Sequence, residues 1–147
     1  MPSSASGTSS SPSRRSASPA PPAARSTRSR HSDRIKQAVE NRESGRSEMF
    51  LIEVDGHLAG RMALGGIVRG AFQSAGVGHA LDQALTGRAI ATIALHLLVR
   101  HAFEGLNLHR LQAETQPTNL ASGRVLTRCG FEHYGSAAQY VRINGVW

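Results

Sequence analysis

The chain has 147 residues with 17 Lys plus Arg against 10 Asp plus Glu, a formal net charge of +7, and its large apolar residues lie almost entirely after Met49. Such a distribution supports one hydrophobic core and hence one domain. A single cysteine, Cys129, excludes an intrachain disulfide and a multi-cysteine zinc site, and no apolar run approaches the roughly 18 residues of a membrane span.

Residues 1–30 hold 11 Ser, 5 Pro, 5 Ala and 5 Arg without one acid, and beyond Met1 no apolar side chain larger than Ala. Too little can be buried there to offset the entropy of ordering, which predicts a disordered tail over 1–30 and a folded unit over 31–147. The tail carries 5 of the positive charges, leaving 12 Lys plus Arg against 10 Asp plus Glu in the folded unit. Near-balance argues against a nucleic-acid-binding surface. The tail's arginines offer weak, salt-sensitive attraction to RNA or an acidic partner, beside the plainer reading of a solvated segment. The start lacks the apolar centre of a secretion signal, and its transit-peptide-like Ser/Arg/Ala bias comes without an amphipathic stripe. A soluble, cytoplasmic protein is expected.

In chain order, Ile35, Ala38 and Val39 at i, i+3 and i+4 predict a short amphipathic helix within 31–47, ended by Gly45. Apolar runs at 49–54 and 57–64 flank Asp55-Gly56, a pair that accepts the positive φ of a tight hairpin turn. Residues 67–71 continue or pair with this sheet. Residues 75–81 form a small-residue strand, in which Gly76 and Gly78 mark a bulge or a close approach. The period then changes. Between 88 and 106, Ala91, Leu95, Leu98, Ala102 and Leu106 make one stripe opposite Thr92, His96, Arg100 and Glu104, predicting a helix of about five turns. Residues 108–115 return to strand alternation, with Leu111 and Ala113 on one face and Arg110, Gln112 and Glu114 on the other. Strand, helix and strand in that order imply a right-handed crossover joining parallel strands. Pro117 ends the strand, Asn119 is placed to cap a helix over 120–129, Gly130 stops that helix, and 131–143 finishes extended.

Chemistry concentrates in Thr86-Gly87-Arg88-Ala89-Ile90-Ala91-Thr92, which sets small side chains between a strand and the opening of the long helix. First-turn amides lack partners and sit at the positive end of the helix dipole, so this loop can cradle a pyrophosphate; small residues serve close helix–sheet packing equally well. His96 and His101 do not share a helix face, and His57, His79, His109 and His133 are scattered, so no metal site is expected. Phe72, Phe103, Phe131 and Trp147 are expected in core or terminal packing.

Residues 87–92 followed by the long helix, then Leu108-His109-Arg110, Asn119-x-x-Ser122 and Arg128-Cys129-Gly130-Phe131, resemble the GNAT superfamily of acyl-CoA-dependent N-acetyltransferases. Val68-Arg69-Gly70-Ala71-Phe72 and Tyr140-Val141-Arg142-Ile143-Asn144-Gly145 make the likeness nearest to the RimJ/RimL-type ribosomal-protein N-terminal acetyltransferases, over about residues 50–147. The resemblance implies an α+β fold in an α/β/α arrangement: a mixed, mostly antiparallel sheet with a splayed parallel strand pair and packed helices. The family opens with a strand and two helices that wall the acceptor cleft, where residues 1–48 offer one helix. It also adds a strand after a motif like Asn144-Gly145-Val146-Trp147, so the unit is expected to be truncated at both ends.

Carried across position by position, the family's acetyl-CoA loop of Gln or Arg, two residues, Gly, one residue, and Gly or Ala falls on Thr86, Ala89 and Ala91. Thr86 and Ala89 depart from it. Backbone amides do most of the phosphate binding, so Ala89 costs little at helical φ and roughly 1 to 2 kcal/mol at positive φ, with Arg88 free to offset the loss by approaching a phosphate. The resemblance assigns Asn119 to the pantetheine arm or to ordering the site, beside its reading as an ordinary N-cap. Ser122 becomes the hydroxyl that hydrogen-bonds the CoA sulfur, beside its reading as a common first-turn residue. Leu126 stands where many members carry a Tyr that protonates the leaving thiolate. Glu114 is the candidate base, or else a solvated strand residue, and a backbone N–H within 76–81 is the donor expected for the carbonyl oxygen.

The implied reaction moves acetyl from acetyl-CoA, without a metal, by direct attack of an amine on the thioester. The preferred acceptor is the N-terminal α-amine of a protein, with a ribosomal-protein N-terminus as the model partner. An α-amine of pKa near ~8 is already roughly one-tenth neutral at pH 7, whereas a Lys side chain at ~10.4 is almost fully charged, so the former asks less of the base. The alternative is a catalytically inactive or truncated GNAT-fold protein that binds CoA or a partner. Either is expected as a monomer or homodimer off the membrane.

Overall fold

The computed structural model describes residues 27–142 and 145–147; the tail expected to be disordered therefore lies, as far as residue 26, outside the described residues. Helix α1 (Thr27–Glu43) starts inside the stretch that composition assigned to that tail. Its apolar stripe stays wet, with Ile35 and Val39 exposed and Ala38 half-buried. Gly45 follows the helix at φ 66°, a conformation that favours glycine.

Strands β1 (Glu48–Val54) and β2 (His57–Val68) form the predicted antiparallel hairpin. Asp55 and Gly56 both have positive φ, 51° and 77°, as a turn matched to the right-handed twist of its strands requires. β2 runs on past the expected residue 64 and pairs antiparallel with β3 (Ser74–Leu81). The two backbones approach so closely at Gly60 that a Cβ there would collide with the Ala80 carbonyl oxygen. β4 (Arg110–Gln112) lies parallel to β3, giving the order β1-β2-β3-β4.

The parallel pair needs a crossover, supplied by α2 (Ile90–Arg100), which continues as one π-helical turn over His101–Gly105. Leu95, Leu98 and Ala102, all on the predicted stripe, are buried with Met62, Leu64, Ala75 and Val77 of the sheet. Leu126 of α3 (Leu120–Arg128) joins the same core. Burying each large side chain contributes about 2 kcal/mol, and this shared core fixes both helices relative to the strands. At the other end of α2, His101 Nε2 lies 2.7 Å from Glu48 Oε2, and its ring meets Phe50 edge-on at 5.3 Å, tying the crossover to β1.

Three expectations are corrected. β4 ends at Gln112 rather than running over 108–115, because alternation assigns side chains to faces while ladder bonds need a neighbouring strand, and the pairing of β3 with β4 stops at Gly76. Residues 131–142 form neither strand nor helix. Of the four aromatics expected in packing, Phe131 packs against the core, whereas Phe72 is 71% exposed on the loop between β2 and β3, and Phe103 and Trp147 are exposed as well.

Candidate functional site

The parallel strands are registered only over Ser74–Gly76 and Arg110–Gln112. Beyond them, 77–81 of β3 has no strand on its β4-facing side, so the sheet is parted where a thioester would lie and where an amide donor was expected. Sequence pattern shows that a crossover exists, but the length of its pairing is tertiary.

The loop entering α2 is built from local turns. Asp82 Oδ1 accepts the Ala84 amide at 2.9 Å, opening a short 3-10 turn over Gln83–Leu85, and the Thr86 hydroxyl donates to the Gln83 carbonyl at 2.8 Å. Thr86 thus closes that turn. Gly87 follows at φ 80°, and Ala89, as N-cap of α2, sits at φ 60° and ψ 0° with no side chain capping the helix. The Ile93 amide donates to the Ala89 carbonyl at 3.0 Å, so the amides of Ile90, Ala91 and Thr92 precede the helix's own ladder. Three N–H groups thus stand at the positive end of a helix dipole with the exposed Arg88 beside them, chemistry suited to an anion. The predicted helix therefore begins at Ile90 rather than Arg88. Ala89 takes the costlier of its two conformations, the left-handed one that disfavours a Cβ by about 1 kcal/mol.

Helix α3 reaches both ends of the parted region. Asn119 Oδ1 accepts the Ser122 amide at 3.1 Å, an N-cap as expected. One turn on, Ser122 Oγ lies 3.4 Å from His79 Nε2 on β3. At the far end, Cys129 Sγ is 3.5 Å from the Thr92 carbonyl in the first turn of α2. Ser122 is thereby set against the unpaired part of β3, while the same helix braces the first turn of α2. Leu126 is buried beneath, so the position that carries a phenol in many members packs the core here. Burial raises the Cys129 thiol above its ordinary range and keeps it protonated at neutral pH.

Two candidates part company. Ser122 is half-buried beside the gap, whereas Glu114 is exposed just past the end of β4. Sequence spacing leaves His79 among the scattered histidines; forty-three residues separate it from Ser122, and no spacing rule joins a strand to a helix across that distance. Strand parity was the available signal, since His79 shares a β3 face with Ala75 and Val77, both buried towards the helices. Burial lowers the His79 pKa, favouring the neutral ring. No group of three or more His, Cys, Asp or Glu among the described residues is arranged to hold a metal, and no helix there is long and apolar enough to cross a membrane.

Comparison with known proteins gives this geometry its context. A "Probable N-acetyltransferase YjcK" of Bacillus subtilis (strain 168) is 47% identical over 93 residues, 63% of this chain and 51% of its own. The "[Ribosomal protein uS5]-alanine N-acetyltransferase" of Escherichia coli (strain K12) is 35% identical over 81 residues, covering 55% of this chain and 42% of that one. Among solved structures, Mycobacterium smegmatis RimJ in complex with CoA-disulfide superposes with a TM-score of 0.78 at 32% identity, covering 81% of this chain and 57% of that one. The chain spans about half the length of the curated relatives it matches. A profile of the acetyltransferase (GNAT) domain matches residues 9–132, most of the sequence, and with the parted parallel strands and the open helix entrance it establishes that the chain belongs to the GNAT acetyltransferase family, with RimJ-type proteins among its relatives.

Proposed function

We propose that this chain transfers acetyl from acetyl-CoA to an amine, with a protein N-terminal α-amine as the acceptor class. The observation that carries the reading is the unladdered first turn of α2 opening beside strands that separate after Gly76 and Gln112. In it, the amides of Ile90, Ala91 and Thr92, with Gly87 and Arg88, grip the diphosphate; Thr86 and Ala89 shape the loop. Asn119 and Ser122 face the pantetheine and sulfur. The unpaired edge of 77–81 supplies an amide to the carbonyl oxygen as it gains charge. Relatives named for alanine N-acetylation of a ribosomal protein support an N-terminal acceptor, and the chemistry agrees, since an α-amine near pKa ~8 needs a weaker base than a lysine. Glu114 is retained as a base only in a conformation that brings its exposed carboxylate to the gap. A cytoplasmic location and a folded unit over 31–147 with a solvated tail complete the proposal.

A second reading, a CoA-binding protein without turnover, is favoured by Ala89 at positive φ and by Leu126 in place of a phenol. Calorimetry with acetyl-CoA, followed by thiol release on N-terminal peptides, N-acetylated peptides bearing Lys, and polyamines, separates them. Binding with release on free N-termini is the expected result. Binding without release on any amine establishes the second reading, and no binding removes both.

A further inference from the structure

We infer that His79 is the proton partner of Ser122, holding the proton that the amine sheds and returning it through the serine hydroxyl to the departing sulfur. The inference rests on the acetyl transfer proposed above and adds the base that Glu114, exposed beyond β4, leaves unfilled.

The geometry is specific to one end of the site. His79 Nε2 and Ser122 Oγ lie 3.4 Å apart, joining the part of β3 that has lost its β4 neighbour to the first turn of α3. Asn119, by capping α3 through the Ser122 amide, fixes the serine backbone at 3.1 Å and so fixes where its hydroxyl can reach. His79 is half-buried, and burial alone accounts for its lowered pKa. Met62 stands across from it on β2, Ser122 faces it from α3, and the one other titratable side chain turned inward on α3 is the protonated thiol of Cys129. Asp82, three residues along the chain, is engaged with the Ala84 amide. A ring kept neutral by burial leaves Nε2 available as an acceptor towards the Ser122 hydroxyl.

With the ring proton on Nδ1, Nε2 accepts the Ser122 O–H. As the amine nitrogen bonds to the carbonyl carbon, it gives one proton to Ser122 Oγ while the serine passes its own to Nε2, leaving an imidazolium. When the C–S bond breaks, the imidazolium returns that proton through Ser122 to the sulfur, and amide, CoA thiol and neutral histidine remain. Ser122 touches the reacting atoms; His79 acts through it as a positioning residue that also stores the proton.

The test uses the full chain and reads titration and turnover separately. NMR of the imidazole follows the His79 pKa in free protein, with CoA, and with desulfo-CoA, in wild type and Ser122→Ala. The expected result is a rise in that pKa with CoA, absent with desulfo-CoA and lost in Ser122→Ala. With an N-terminal peptide, His79→Gln lowers kcat about 100-fold, leaves calorimetric CoA affinity within about twofold, and removes the acidic limb of the kcat/KM profile. CoA that binds without moving the His79 pKa overturns this inference alone, as does a His79→Gln enzyme that keeps wild-type kcat and the acidic limb. Failure of CoA to bind overturns it together with the proposed function.

Discussion

The β1–β2 hairpin and the β3–β4 pair occupy opposite sides of one sheet and are held by different means. The hairpin is paired from Glu48 with Leu64 to Val54 with His57, with one register shift between Ile52 and Glu53, by local pairing around a two-residue turn. The parallel pair is registered at three positions and then parts, and what keeps β4 in place is the crossover, its core side chains and α3. A sheet that closes one half tightly can leave the other open without losing its fold, because the core under Leu64 and Leu95 is shared by both halves. Where the ladder is incomplete, backbone donors remain unspent.

The comparison breaks most severely at its common foundation. Leu64, 0% exposed, pairs with Glu48 on one side and Val77 on the other, so Leu64→Ala is expected to cost about 3 kcal/mol in denaturant unfolding and to weaken both halves together. Next comes the seam between hairpin and open strand: Gly60→Ala drives a methyl into the Ala80 carbonyl oxygen, and separating β2 from β3 costs about 2 kcal/mol by the same measurement. On the open side alone, Asn119→Ala removes the α3 cap and costs about 1 kcal/mol, with a loss of acetyl-CoA affinity by calorimetry that Asn119→Ser partly restores. Ala89→Gly relieves the left-handed N-cap of α2 and sharpens the contrast in the favourable direction. It gains about 0.5 kcal/mol once the added freedom of the unfolded chain is subtracted, and tightens CoA binding without touching the hairpin.

Acid makes the finest distinction. The folded-state pKa of His79 lies below the ordinary imidazole value of 6.5, so the unfolded chain binds its proton first as pH falls. Stability associated with His79 is therefore complete above about pH 6.5 and is lost as pH drops towards the folded-state value. Thermal unfolding from pH 7.5 to 5 is expected to show a decline that is shallower in His79→Gln.

Much of the fold was legible because it is written in short-range pattern. The Asp55-Gly56 turn, the alternation of β1 and β2, the stripe of Leu95, Leu98 and Ala102, and the Asn119 cap each involve residues a few positions apart whose stereochemistry hardly depends on the rest of the chain. The loop before α2 is legible as small residues, but an alanine's identity does not fix whether its φ is helical or left-handed. Phe72 was misplaced because apolar character raises the odds of burial without assigning an element to cover the side chain. Glu114 was favoured from strand alternation that ceases before its position is reached.

By itself, then, the sequence determined the hairpin, the order of the paired strands and helices, and the crossover, since these follow from backbone preference and local periodicity. Tertiary structure decided where β3 and β4 stop pairing, which face of α3 meets β3, and hence that His79 stands beside Ser122. Those outcomes depend on how a shared core seats two helices against a twisted sheet, an arrangement set by contacts between residues tens of positions apart.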